Sequence, residues 1–159
     1  MTDLMTCLWF DEGRAREAAQ FYADTFPDSR IDAGHPSPVP GVGQGSELMV
    51  EFTVLGRRFL GLNGGPHYKP NEAVSFIVLT DSQEETDRYW AAIIASGGEE
   101  APCGWCTDGW GFSWQITPRR LLEFVNGADR AAASRAMTAM MEMKKIDIDA
   151  IERAAASAS

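Results

Sequence analysis

A strand carboxylate and two histidines are the groups in this chain best suited to proton transfer at neutral pH. Glu51 lies in the run Leu48–Val54, flanked by Val50 and Phe52. In that setting a carboxylate lines a half-closed cavity, where desolvation raises its pKa and makes it a general base, or it faces solvent or an arginine. His67 follows Gly64-Gly65-Pro66 in a loop, where an imidazole serves as proton carrier, substrate contact or structural group. His35 opens a proline-rich loop and has less to recommend it. Trp9, Asn63, Trp105 and Trp114 are candidate walls of a small-molecule pocket, since such cavities combine aromatic surface with a few polar groups. Core packing accounts for at least some of these tryptophans.

Two motifs resemble chemistry that their context does not support. Cys103-Gly104-Trp105-Cys106 has the spacing of a redox dithiol, which needs a helix N-terminus to lower the thiol pKa. Thr107-Asp108-Gly109 follows instead, and that is turn chemistry. Zinc would need two further ligands, and the histidines are distant in sequence. Gly41-Val42-Gly43-Gln44-Gly45 resembles a nucleotide loop, but Pro36, Pro38 and Pro40 precede it and a strand follows it. A phosphate-binding loop must leave a strand and open a helix.

The elements that must position these groups follow from periodicity. Leu4 to Phe10 is an apolar run ending in Asp11-Glu12-Gly13, which reads as a strand and turn. Ala15, Ala18, Ala19, Tyr22 and Phe26 share a helical face that Pro27-Asp28 terminates. Residues 29–35 read as a strand, and Leu48–Val54 and Arg58–Leu62 as a hairpin joined by Leu55-Gly56-Arg57. The order then repeats. Val74–Thr80 reads as a strand, and Ser82 with Glu85 as a capping box opening a helix that Gly97-Gly98 closes. That helix carries Thr86, Trp90, Ile93 and Ile94 on one side. Short strands are expected near Glu99–Cys103 and Gly111–Thr117. In the tail, Thr117-Pro118 reads as an N-cap and first helical residue, opening a short helix through Phe124. Asp129 is expected to cap a helix with Ala133, Met137, Met140 and Met141 on one face, a stripe suited to packing or to a dimer surface. Asp147 or Asp149 is expected to cap a last one.

The 159 residues carry a net charge of −9, with 45% hydrophobic and 23% charged residues, a globular balance. No basic stripe marks a nucleic-acid binder, and an acidic surface disfavours anionic lipid. No run approaches the ~18 apolar residues of a membrane span. Three cysteines make no disulfide framework, and Met1-Thr2-Asp3 lacks the basic start of a signal peptide. A cytoplasmic protein is expected.

Four phrases carry a family resemblance: Cys7-Leu8-Trp9-Phe10-Asp11 before a helix ending Phe21-Tyr22; Leu62-Asn63-Gly64-Gly65-Pro66-His67 running into Asn71-Glu72-Ala73-Val74-Ser75-Phe76; Pro102–Trp105 leading to Asp108–Gln115; and Ala139–Ile148. Together they resemble the PhnB-like proteins, often labelled demethylubiquinone methyltransferase-type domains, of the vicinal-oxygen-chelate (glyoxalase/bleomycin resistance/extradiol dioxygenase) superfamily. The resemblance implies an α+β fold of paired βαβββ modules forming a curved cup-shaped mixed sheet, commonly completed in a homodimer. The domain would span 1–127, as modules of about 1–66 and 67–127, with a helical tail over 128–159.

Metal-using members take four ligands from inward strand positions, which by motif fall here on Met5, Glu51, Ser75 and Gln115. Glu51 and Gln115 offer oxygen, while Met5 offers a soft thioether and Ser75 a weak neutral donor, a poor set for a hard divalent ion. The expectation is a protein binding a small organic molecule without a tightly held metal. Glu51 would be base, His67 assisting, and Ser75 and Gln115 polar contacts. The alternatives are a metal-dependent lyase, isomerase or dioxygenase, and a non-catalytic sequestering protein. The methyltransferase label finds no cofactor site in the sequence.

Overall fold

A computed structural model describes residues 1–157, which divide into two compact units, Met1–Pro70 and the part from Asn71 onward. The first unit contains β1 (Thr6–Phe10), α1 (Ala15–Thr25), β2 (Arg30–His35), β3 (Met49–Val54) and β4 (Arg57–Asn63). Its sheet runs β1-β4-β3-β2, with β1 parallel to β4 and the other neighbours antiparallel. The second unit repeats that plan with β5 (Ser75–Thr80), α2 (Gln83–Ala95), β6 (Glu99–Glu100), β7 (Trp105–Thr107) and β8 (Ser113–Pro118). Its order is β5-β8-β7-β6, with β5 parallel to β8. The α+β fold is therefore a pair of βαβββ modules. Each has a helix on one sheet face.

In the first unit the alternation of β3 sends Val50, Phe52 and Val54 under α1, where they are buried with Leu8, Phe10 and Phe59. The helix meets them with Ala15, Ala18, Ala19 and Tyr22, and Phe52 stacks on both Tyr22 and Phe59. Close approach depends on Gly61, where a Cβ would stand 2.9 Å from that of Ala15. The β3–β4 turn is two residues long: Val54 pairs with Arg57, while Leu55 (φ 49°) and Gly56 (φ 72°) take the left-handed pair that a tight hairpin requires. Arg57 thus belongs to the strand, not to the connection.

The helix α1 lacks a local cap, because the Arg14 side chain makes no capping bond. Asn63, at the end of β4, supplies one: its Oδ1 accepts from the Ala15 amide at 2.9 Å. Its Nδ2 donates to Glu47 O at 2.8 Å. Asn63 is 2% exposed, so the amide fastens helix, strand and loop together.

In the second unit α2 covers Val78, Thr80, Cys106, Trp114 and Ile116. Ser82 Oγ accepts from Glu85 N, and Glu85 reaches back to the amide of Asp81, one residue earlier than a standard capping box. Gly97 (φ 101°) closes the helix. The expected strand Glu99–Cys103 is only Glu99–Glu100, because Cys103 and Gly104 both take positive φ and break it before β7. The next strand starts at Ser113 rather than Gly111, whose φ is also positive.

Three helices end the described chain: α3 (Arg119–Val125), α4 (Arg130–Met141) and α5 (Ile148–Ala156). The reading of Thr117-Pro118 is corrected. Thr117 and Pro118 continue β8 opposite Leu79 and Thr80, and Pro118 itself is the N-cap, in extended conformation and without a side-chain bond. Asp129 and Asp147 cap α4 and α5 through their carboxylates. Of the expected methionine stripe, Ala133 is buried and Met140 packs inward beside Ala136, while Met137 and Met141 are exposed. A small core of Leu121, Ala136, Ile146, Ile151 and Ala155 holds the three helices together.

Candidate functional site

Alternation leaves each sheet one face without a helix, and the register of the first unit places its residues in rows. One row crosses the strands as His35, Met49, Leu62 and Trp9. The next row is Ala33, Glu51, Leu60 and Cys7. Neighbouring strands lie about 4.8 Å apart, so each row spans about 14 Å, the length of a small organic molecule. Met49, Leu60 and Leu62 make a half-buried apolar floor.

At one margin of this floor His35 Nε2 lies 3.0 Å from Glu51 Oε1. The other carboxylate oxygen lies 3.8 Å from Arg58 Nη2, and Arg58 in turn pairs with Asp3. Glu51 is thus neither the solitary cavity carboxylate nor a freely solvated one: it is held between a histidine and an arginine. At the opposite margin Trp9 is half-buried. Its Nε1 donates to Gly65 O at 2.7 Å and its ring meets Tyr68 edge-on at 4.8 Å. Cys7 shares the face, but partial burial pushes its thiol up, away from the thiolate that nucleophilic chemistry needs. Beside this face Arg16 binds Glu47 through two contacts of 2.6 Å, which hold the Glu47 carboxyl below its usual range.

His67 is exposed, with no hydrogen-bond partner among the described residues. The structure joins Glu51 to His35, the histidine that sequence reasoning favoured less. Their pairing crosses strands, and no local spacing signals it. Asn63 is likewise corrected. Both ends of its amide serve backbone groups, so it is a fastening within the fold and not a wall of a pocket.

In the second unit Gln115 Nε2 donates to Ser75 Oγ at 2.9 Å on the face away from α2. Trp105 pairs directly with Gln115 across β7 and β8, half-buried on the same face, and Ile77 flanks Gln115 from β5. Trp114 points the other way. It is 3% exposed, tilted against Phe76 at 5.1 Å, and its Nε1 donates to Asp108 Oδ2 at 2.8 Å. Strand alternation makes it core, which corrects its reading as a pocket wall.

The two motif lookalikes stay without function. Cys106 is buried, and burial with the nearby charges of Asp108 and Glu100 pushes its thiol up to about 12. The Cys103-Gly104 turn instead donates its amides to Met143 O and Lys144 O, both at 2.7 Å. The glycine-rich segment 41–45 runs from a loop into β3, with Gln44 fastened to Gly13 N and Asn63 O. No helix follows it, so it does not fit the phosphate cradle of a methyl-donor nucleotide.

The positions aligned with metal ligands fit a metal poorly. Met5 and Glu51 in the first unit bring one charged donor, already paired with His35 and Arg58. Ser75 and Gln115 in the second are neutral and bonded to each other. Among the described residues no group of three or more His, Cys, Asp or Glu side chains is arranged to hold an ion. No described helix is long and apolar enough to cross a membrane.

The sequence model of the family described as 3-demethylubiquinone-9 3-methyltransferase matches residues 2–117. A Bacillus cereus protein described as a putative 3-demethylubiquinone-9 3-methyltransferase, PhnB protein, is 26% identical, with a TM-score of 0.65 over 74% of this chain and 99% of that one. PA1353 of Pseudomonas aeruginosa is 22% identical, with a TM-score of 0.61 over 74% and 98%. The fosfomycin resistance protein FosX of Listeria monocytogenes, solved with Mn(II) and 1S,2S-dihydroxypropylphosphonic acid, is 13% identical. Its TM-score is 0.52 over 72% of this chain and 90% of that one, a likeness of fold. No curated protein matches the chain.

Proposed function

This chain belongs to the 3-demethylubiquinone-9 3-methyltransferase family, and on that premise we propose that it holds a small organic molecule on its helix-free sheet surfaces without a tightly held catalytic metal. One observation carries the reading. The single charged donor among the metal-ligand positions, Glu51, is engaged by His35 and Arg58, which compete with any ion for its oxygens. A hard divalent cation takes several anionic or carbonyl oxygens, and the remaining positions give a thioether, a hydroxyl and an amide. What the surface offers in place of a metal is apolar floor and neutral polar groups, the ordinary lining of a small-molecule site. Methyl transfer is not part of the reading, because residues 41–45 lack the strand-loop-helix setting that a nucleotide donor requires. Three free cysteines suit a reducing compartment, in keeping with a cytoplasmic protein. A homodimer is the expected assembly, measured by light scattering.

The test is metal analysis of protein purified without chelator, joined to melting scans against Mg²⁺, Mn²⁺, Ni²⁺ and Zn²⁺. Substoichiometric metal and indifference to the ions are expected. A stoichiometric ion that disappears in Glu51→Ala would replace this reading with a metal-dependent lyase, isomerase or dioxygenase.

A further inference from the structure

We propose that the exposed face of α4 is a dimer surface, on which the same helix of a second copy of this chain lies antiparallel. The proposal rests on the expected homodimer and assigns it a surface; the homodimer can stand while the assignment fails.

The family match ends at residue 117, so α4 lies in a tail outside the shared domain. Inward, the helix presents Ala133 and Ala136. Outward it presents Arg130, Ser134, Met137 and Met141, at steps of four, three and four residues. That is the spacing with which one helix lies along another. Met137 is 38% and Met141 62% exposed, and the neighbouring Ser134 and Thr138 are exposed and uncharged. In a chain of net charge −9, an exposed apolar stripe bounded by charge marks a contact surface.

Two hollows flank the stripe. One, of about 290 Å³, lies among Val125, Ala133 and Met137. The other, of about 410 Å³, reaches from Ser134 and Thr138 to Ala154. Two arginines fix their walls. Arg130 donates to Val125 O at 3.0 Å and to Gly127 O at 3.3 Å, which ties down the end of α3. Arg135 donates to Ala154 O at 3.1 Å and Ala155 O at 2.6 Å, which ties down the end of α5. Both hollows meet at Ser134. A methionine side chain from a second copy fills such an irregular space well, being unbranched and polarisable.

Charge selects the occupant and its direction. Arg130 begins α4 and Glu142 is its C-cap, a carboxylate without an ion pair among the described residues. A parallel partner would set Arg130 against Arg130 and Glu142 against Glu142. An antiparallel copy, related by a two-fold axis beside Ala136, sets each Arg130 against the other copy's Glu142. The same register brings each Met137 over the other copy's Ser134, large against small. The 12 residues of α4 span about 18 Å. One such face falls short of a standard interface of ~800 Å² per partner, so the dimer should dissociate on dilution.

Sedimentation velocity of the full chain over a dilution series tests the proposal. Wild-type protein is expected to show a monomer–dimer equilibrium. Met137→Lys, which brings two like charges together near the axis, should weaken it at least about tenfold. Its melting temperature should match wild type when both are dilute, since the side chain is exposed. Glu142→Lys sets a cation against the other copy's Arg130 and should weaken the dimer several-fold at low salt and less at high salt. A wild type that stays monomeric throughout would leave the face to a different partner and overturn the proposal. A Met137→Lys dimer as tight as wild type would place the homodimer on another surface. Indifference to Glu142→Lys would remove the antiparallel arrangement.

Discussion

Asn63 Oδ1 accepts the backbone hydrogen bond of Ala15 at 2.9 Å, across 48 positions of sequence. A helix normally finds its N-cap in the residue before it, but Arg14 offers no acceptor to α1. The end of β4 takes that role, so the angle of α1 on the sheet is set by the strand it covers. The same amide fixes the approach of the loop to β3 through Glu47 O. Asn63 also terminates the β4 strand whose Leu62 belongs to the floor beside His35. The core thereby sets the height of the floor.

Asn63→Ala removes an acceptor and a donor from a 2%-exposed position and leaves two backbone groups unpaired. A loss of about 2–4 kcal/mol is expected from the usual cost of buried unsatisfied groups. Urea unfolding measures it. A loss below about 0.5 kcal/mol, the range of ordinary surface substitutions, would show that water replaces both bonds.

Gln83 makes a second remote fastening. Its Oε1 accepts from Ile148 N at 2.8 Å and its Nε2 donates to Ile146 O at 3.0 Å. Gln83→Ala is expected to cost about 1–3 kcal/mol. It should also speed amide exchange over 146–151 more than over α2. Uniform acceleration across the second unit would mean that α5 does not open on its own.

Cys106 gives the chain an alkaline weakness. Burial pushes its thiol up to about 12 in the folded protein, whereas an unfolded thiol ionises near its ordinary value of 9.0. Below that value the two states bind the same proton and the group is neutral toward stability. Above it the unfolded state releases a proton that the folded state keeps, so stability falls as pH rises, by at most about 1.4 kcal/mol per unit. Cys106→Ala should flatten the melting curve between about pH 9 and 11 relative to wild type. Equal slopes would show that the thiol ionises in place.

Much of the fold is legible in local pattern. The four inward residues of α1, the alternation of β3, and the caps at Ser82, Asp129 and Asp147 each act within a few positions of themselves. What local pattern cannot register is pairing between distant segments. Pro118 looks like a helix opener until Thr80 is placed beside it, and β7 hides inside a cysteine motif because its partners are β6 and β8. The candidate site divides in the same way. Glu51 stands out as a carboxylate between apolar neighbours, whereas His35 acquires interest only from the strand next to it. Trp114 and Asn63 look like pocket residues by type, and burial on the helix side assigns them to the core.

The fastening of the tail has a consequence for the order of assembly. The amides of Cys103 and Gly104 and the side chain of Gln83 find their partners only between Met143 and Ile148. During synthesis the first unit has every residue of its sheet once Asn63 has emerged. The second must wait, its β6–β7 turn uncovered, until some forty further residues are made. A ribosome paused near residue 130 would carry one finished module and one still open to chaperones.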